Sequence, residues 1–262
     1  MNHMGENREL GKVWLVGAGP GAGELLTLKA RRLLKEGDCI VYDRLVGDEV
    51  LSMIPSGKEI IGVGKSAGRH ATPQEEINRI LISEAKLGKR VVRLKGGDPF
   101  LFGRGGEEAE ALCREQIPFE VVPGISSSLA VPAYNGIPVT HREISRSFHV
   151  ITGHLAGQAA DLCSKLDFAS LARLEGTLVF LMGFGQLRQI ADGLIHAGKE
   201  AATPAAVVHG TFDASVAVVR GTLADIAEKA AEAAMQAPAV IIVGRVVALG
   251  GAHEGCMEEN TI

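Results

Sequence analysis

Short runs of β-branched and other apolar residues recur along the chain, separated by stretches whose apolar positions return every three or four residues. The short runs predict strands at Val13 to Val16, Cys39 to Tyr42, Glu59 to Val63, Arg90 to Leu94 and Phe119 to Val122. A second set follows at Phe148 to Thr152, Thr177 to Met182, Ala205 to Val208, Val216 to Arg220 and Val240 to Val243. The longer stretches predict helices, with Leu25, Leu28 and Leu33 on one face of the first and Ile77, Ile80, Leu81 and Ala85 on that of another. Thr72 reads as the N-cap of the latter, with Pro73 at its first position and Glu75 three residues after the cap. Strands alternating with helices predict an α/β protein with largely parallel sheets. Pro123, Pro132 and Pro138 interrupt this pattern, and five strands fall on either side of them. The expected organisation is two α/β domains of similar size, residues 11–123 and 124–250, with flexible tails over 1–10 and 251–262.

Composition narrows the function classes. A chain of 262 residues with 46% hydrophobic and 22% charged residues is globular. Thirty-three glycines beside 4% aromatics suit tight strand-to-helix turns better than stacking platforms for nucleic acid. A net charge of −4 argues against general nucleic-acid or membrane-surface binding while allowing a locally basic cleft. The four cysteines (Cys39, Cys113, Cys163, Cys256) form no CxxC, and His149 and His154 lack metal-ligand spacing. Reduced thiols in a cytoplasmic protein without a metal site are expected. No apolar run approaches the roughly 20 residues that cross a bilayer, and MNHMGENREL has no signal-peptide core.

The candidate chemistry lies at predicted strand ends. The first strand runs into GAGPGAGELLTLKA, a Gly-rich turn resembling a dinucleotide fingerprint. Gly17 and Gly19 fit it, but Ala22 holds the third glycine position and Pro20 lacks an N–H. Asp43 ends the second strand, where it either binds a ribose or closes a turn. The fourth strand delivers LKGGDPFLFGRGGEE, Leu94 to Glu108. Gly96 and Gly97 let the backbone approach a ligand, and Asp98 either accepts hydrogen bonds from that ligand or caps the turn before Pro99. Glu107 and Glu108 suit the first turn of the following helix. Six basic residues between Lys86 and Arg104 stand against one acid, and Lys65, Arg69 and His70 form a second cluster. Lys86 and Lys89 read as a solvated helix end, whereas Arg93 and Arg104 in their Gly-rich setting suit an anionic, carboxylate-bearing substrate.

In order along the chain, GAGPGAGELLTLKA, VYDRLV, VGKSAGRH, LKGGDPFLFGRGGEE, VVPGISS, GIPVTHR and TGH closely resemble the tetrapyrrole methylase family, within it the enzymes that act on uroporphyrinogen III. The resemblance spans about residues 12–247 and is most specific in the first half. It implies two α/β domains with the cofactor in the cleft between them, working as a homodimer. It also implies methylation of uroporphyrinogen III at C2 and then C7, giving precorrin-2 for sirohaem and cobalamin synthesis. S-Adenosylmethionine is the implied methyl donor and S-adenosylhomocysteine the by-product. The eight carboxylates of that substrate agree with the arginine clusters.

Residue by residue, the resemblance assigns cofactor contacts to Pro20, Gly96, Gly97, Asp98, Leu101, Ser126, Ser127, Met182, Ala206 and Thr211. Without it, Met182 reads as a filler of core gaps. Asp43 matches the family's proton acceptor and Lys65 its proton donor, while Arg93 and Arg104 would hold substrate carboxylates or steady charge. Departures occur at Ala22 and Gly23, where Asp-Pro is usual, at Leu181, often Tyr, and at Val216, often Gln. Three other readings stand beside this one. A nicotinamide-dependent oxidoreductase requires a complete GxGxxG, a non-catalytic binder has no need of Asp43, and a sister methylase would act on a later corrin precursor.

Overall fold

In the computed structural model, residues 10–64, 72–153, 166–210 and 218–253 are described here. The chain divides into two compact units, residues 1–126 and 127–262.

The first unit carries β1 (Lys12–Gly17), α1 (Leu28–Glu36), β2 (Cys39–Tyr42), α2 (Asp48–Ser52), β3 (Glu59–Gly62), α3 (Gln74–Lys86), β4 (Arg90–Lys95), α4 (Gly105–Arg114) and β5 (Phe119–Val122). Its sheet has the order β3-β2-β4-β1-β5 and every pairing is parallel. Side chains alternate between the two faces, and helices cover both. Val13, Leu15, Val41 and Val91 pack with Ile77, Leu81 and Leu112 of α3 and α4. Trp14, Val16, Ile40, Val92 and Leu94 pack with Leu33, Leu34 and Val50 of α1 and α2. Burial on both faces is why β1 and β2 read as continuous apolar runs, whereas the edge strand β3 is largely exposed.

The second unit carries α5 (Ser127–Tyr134), β6 (Phe148–Thr152), α6 (Phe168–Arg173), β7 (Thr177–Leu181), α7 (Leu187–His196), β8 (Pro204–His209), β9 (Val218–Thr222), α8 (Ile226–Glu232), β10 (Ala239–Val243) and α9 (Val247–His253). Here the order is β6-β7-β10-β8-β9, with β6 and β7 parallel and every other pairing antiparallel. The expectation of largely parallel sheets is therefore corrected for this unit. Only residues 210–217 join β8 to β9, shorter than the dozen or more residues a parallel crossover requires.

Two local expectations also change. Leu33 is buried in α1 as expected, with Ala30 and Leu34 beside it, but Leu28 is 86% exposed. The third helix starts one residue later than expected. Pro73 is its cap residue and accepts from the N–H groups of Glu76 and Ile77, while Thr72 lies outside. No helix among the described residues is long and apolar enough to cross a membrane.

Candidate active site

At the carboxyl edge of the first sheet, the loops after β1, β4 and β5 meet backbone to backbone. Gly19 and Gly97 exchange hydrogen bonds, N–H of Gly97 to O of Gly19 at 2.7 Å and the reverse at 3.2 Å. A Cβ on Gly124 would stand 2.2 Å from the Gly97 carbonyl oxygen, and one on Gly17 2.5 Å from the Gly124 backbone. Glycine is required there because backbone fills the space. Gly97 differs: its φ is +66°, and a Cβ would meet only the Ser126 Cα at 3.9 Å. Asp98 ties the edge together, its Oδ1 accepting from the Phe100 N–H at 2.9 Å and its Oδ2 from the Gly124 N–H at 3.1 Å. The capping role expected of Asp98 is thus present. Four lone-pair positions on a carboxylate leave it capacity for a ligand as well. Pro20 is buried in the first turn, Leu101 is half-buried in the loop after β4, and Ser126 is buried at the end of the unit.

Beside these loops lies a cluster of charge. Asp43 directly follows β2, and its Oδ1 accepts from Arg93 Nη2 at 2.6 Å. Arg93 Nε donates to Glu108 Oε1 at 2.9 Å, and Lys95 Nζ donates to the same oxygen at 3.0 Å. The side chains of Arg93 and Glu108 are 1% and 0% exposed, that of Asp43 30%. Arg93 therefore does not stand open to a substrate carboxylate, as the sequence suggested. Its guanidinium is engaged by two carboxylates of its own chain. Glu108 lies in the first turn of α4, as expected, and is there a fully buried partner of β4. Burial, and next the Arg93 charge, push the Lys95 ammonium below its usual range.

Sequence reasoning counted Lys95 only as one basic residue among six and left it out of the site. The signal was alternation: Arg93 and Lys95 are two apart on one strand and share the face of Val91, which α3 and α4 cover. Arg104 is different again. It precedes α4 with φ +59°, is largely exposed, and grips Glu107 through Nε and Nη2 at 2.8 and 2.6 Å. That hydrogen-bonded pair holds the Glu107 carboxyl below its usual range. An exposed pair of this kind exchanges partners at little cost.

In the second unit Ser127 opens α5, half-buried. Met182 follows β7 with φ +56° and is 50% exposed, so it is not a core filler. A non-glycine residue held in that region marks a position worth functional scrutiny. Ala206 is buried mid-strand in β8, opposite Ile242 on one side and Arg220 on the other. Lys65 and Thr211, with Arg69, His70, His154 and Val216, lie outside the described residues.

Residues 12–242 match the family described as tetrapyrrole (corrin/porphyrin) methylases. The chain belongs to the tetrapyrrole methylases. It is 54% identical over 251 residues to the S-adenosyl-L-methionine-dependent uroporphyrinogen III methyltransferase of Methanosarcina barkeri, covering 96% of each chain. A siroheme synthase of Salmonella typhi is 50% identical over 239 residues, which make up 91% of this chain and 51% of that protein. The structure of uroporphyrin-III C-methyltransferase from Thermus thermophilus complexed with S-adenyl homocysteine superposes with a TM-score of 0.78 at 42% identity, over 91% of this chain and 100% of that one.

The cofactor of this methylase is therefore S-adenosylmethionine and not a nicotinamide. The carboxyl edge fits such a ligand: open space beside the Gly97 backbone, next to Gly96 packed tightly on Leu45, and an anchored carboxylate at Asp98 for hydroxyl or ammonium groups. Elsewhere in this methylase, Cys39, Glu59 and Glu84 bring potential metal-ligand atoms within 4.8 Å of one another. The Lys89 ammonium already bridges the two carboxylates, and burial pushes the Cys39 thiol up to about 12, against ligation as thiolate.

Proposed function

We propose that the protein moves two methyl groups in turn from S-adenosylmethionine to C2 and C7 of uroporphyrinogen III, yielding precorrin-2 and S-adenosylhomocysteine. What carries this reading is the gathering of Asp43 and the Gly96–Asp98 loop at one edge of a parallel sheet, in a chain 54% identical along nearly its whole length to a uroporphyrinogen III methyltransferase. Ligands of open α/β sheets bind at such carboxyl edges.

When bound, S-adenosylmethionine supplies a methyl group already activated on a sulfonium. Gly96, Gly97 and Asp98 hold its ribose and amino-acid parts, with Pro20, Leu101, Ser126, Ser127, Met182, Ala206 and Thr211 as further contacts. The protein must then orient an electron-rich pyrrole carbon and remove the proton that carbon loses. Asp43 takes this proton at Oδ2, the oxygen to which Arg93 does not donate. Lys65 returns a proton to the macrocycle. Arg104 exchanges Glu107 for a substrate carboxylate, and Arg93 steadies Asp43 from behind. The protein works in the cytoplasm as a homodimer, and light scattering on the purified protein tests the oligomeric state.

Anaerobic incubation with S-adenosylmethionine and uroporphyrinogen III, followed by mass analysis, tests the reaction. Singly and then doubly methylated products are expected. Their absence would sink the proposal.

A further inference from the structure

Four charged side chains alternate in sign around a ring at the carboxyl edge of the first sheet. Arg93 joins Asp43 to Glu108, and Lys95 closes the ring by donating to Glu108 Oε1 with its Nζ 3.7 Å from Asp43 Oδ2. Three members are buried, with Lys95 3% exposed at its side chain, and Asp43 alone reaches solvent. Burying ions costs several kcal/mol each, and packed apolar side chains commonly do as well or better for stability. Stability alone does not explain the ring.

The orientation of Glu108 offers a reason. All its donors, Arg93, Lys95 and the Gln74 amide at 3.2 Å, converge on Oε1, while the buried Oε2 has no hydrogen-bond partner among the described residues. A carboxylate placed only to satisfy charge would use both oxygens. This one is turned wholly toward the two cations that face Asp43. We propose that Glu108 is a positioning residue: it anchors Arg93 and Lys95, and through them fixes the carboxylate of Asp43 and balances the field it feels. The inference rests on the reading of Asp43 as the proton acceptor. Among the described residues the groups concerned are Arg93 and Lys95 from β4 and Glu108 from α4, with the neutral Gln74 amide added from α3 and the exposed Arg104–Glu107 pair at the start of α4 acting on Glu108 and Lys95 through charge alone. Glu108 offsets one of two positive charges that would otherwise both act on Asp43 and make it a weaker base. It also keeps Lys95 beyond hydrogen-bond reach of the oxygen that takes the proton.

Charge compensation gives the test. Glu108→Gln keeps the shape and removes a negative charge, so the acidic limb of the kcat–pH profile moves to lower pH by about half a unit or more. With it kcat falls about tenfold or more, while KM for S-adenosylmethionine stays within about twofold. Lys95→Met removes a positive charge and moves the limb to higher pH. The double variant returns it close to the parent position. The carboxylates of the substrate titrate identically in every arm, so differences between variants report the protein. A residue that serves folding alone lowers yield and melting temperature without displacements of opposite sign. If Glu108→Gln does not fold, Glu108→Asp keeps the charge while withdrawing it by one methylene, and should lower kcat with the limb unmoved. In substrate-free protein, the 13C titration midpoint of the Asp43 carboxyl, assigned with Asp43→Asn, should move in the same directions as the limb. Coincident limbs, or limbs moving the same way, with Asp43→Asn inactive, overturn this inference alone. Asp43→Asn turning over at the parent rate overturns the base reading and this one with it.

Discussion

Strands β2 and β4 carry an aspartate–arginine pair at each end, and the two pairs have little else in common. At the amino end Asp38 precedes β2 and Arg90 opens β4. Arg90 donates through Nε, Nη2 and its backbone N–H at 3.0, 2.8 and 2.9 Å, with both side chains about half in water. At the carboxyl end Asp43 follows β2 and meets Arg93, whose side chain is 1% exposed. One parallel register, with Cys39 opposite Val91 and Tyr42 opposite Leu94, makes both meetings possible. What separates them is cover. The amino end is laced with water-facing pairs such as Lys89 with Glu59, whose attraction solvent screens. The carboxyl end is roofed by α4, which supplies Glu108, and there the ions are desolvated. Identical chemistry thus serves surface charge at one end and, in the mechanism proposed above, the reaction at the other, because parallel strands present their ligand loops at the carboxyl edge only.

The largest effect that would break this contrast concerns turnover. Asp43→Asn should lower kcat for methyl transfer by about 10²–10⁴-fold, the range of a positioned acid–base group. Asp38→Asn should leave kcat unchanged in the same anaerobic assay. Comparable losses in both would remove the distinction between the edges. Stability sharpens it next. Arg93→Met leaves Glu108 and Asp43 short of a buried cation and should cost about 3 kcal/mol in urea unfolding. Arg90→Met should cost about 1 kcal/mol or less.

A smaller effect separates conformation from binding. Gly57 and Gly97 both have positive φ, +85° and +66°, and neither has close neighbours for an added Cβ. Alanine should cost each about 1 kcal/mol or a little more, from backbone strain alone. Only Gly97→Ala should also weaken S-adenosylhomocysteine, by about tenfold in calorimetry, which corresponds to about 1.4 kcal/mol. Gly57, before β3 at the amino edge, should leave that affinity unchanged. Equal affinities in the two variants would detach Gly97 from the cofactor.

Much of this edge was legible in the sequence, and the illegible part has a physical cause. Alternation and apolar runs located all ten strands among the described residues, and the Gly96–Asp98 turn pointed to backbone open to a ligand. Asp43 was visible as an acid ending a strand. The ring around it was not. A charged side chain within a strand reads as solvent-facing, and whether Arg93 and Lys95 point to water depends on α3 and α4 closing over that face. Burial of Glu108 depends on the same helix packing, which no local spacing encodes. The mixed sheet of the second unit was hidden by its own helices, since strand–helix alternation predicts parallel pairing. The link over residues 210–217 was the clue that it does not hold between β8 and β9.

The smallest effect concerns pH and the amino-end pair. The Arg90 side chain, by hydrogen bond, holds the Asp38 carboxyl at about 2, below its usual 3.8. Since the folded value lies below the unfolded one, the stabilisation is complete above about pH 4 and is lost as pH falls through about 2. Water screens a pair so exposed, which limits its worth to about 1 kcal/mol. Asp38→Asn should therefore lower stability slightly at pH 7 and flatten the decline between pH 4 and 2, as read from urea midpoints across that window. Methyl transfer at neutral pH should not change. A variant that lost turnover along with this slope would show that the two ends of β2 and β4 are coupled, and would end the division of labour between them.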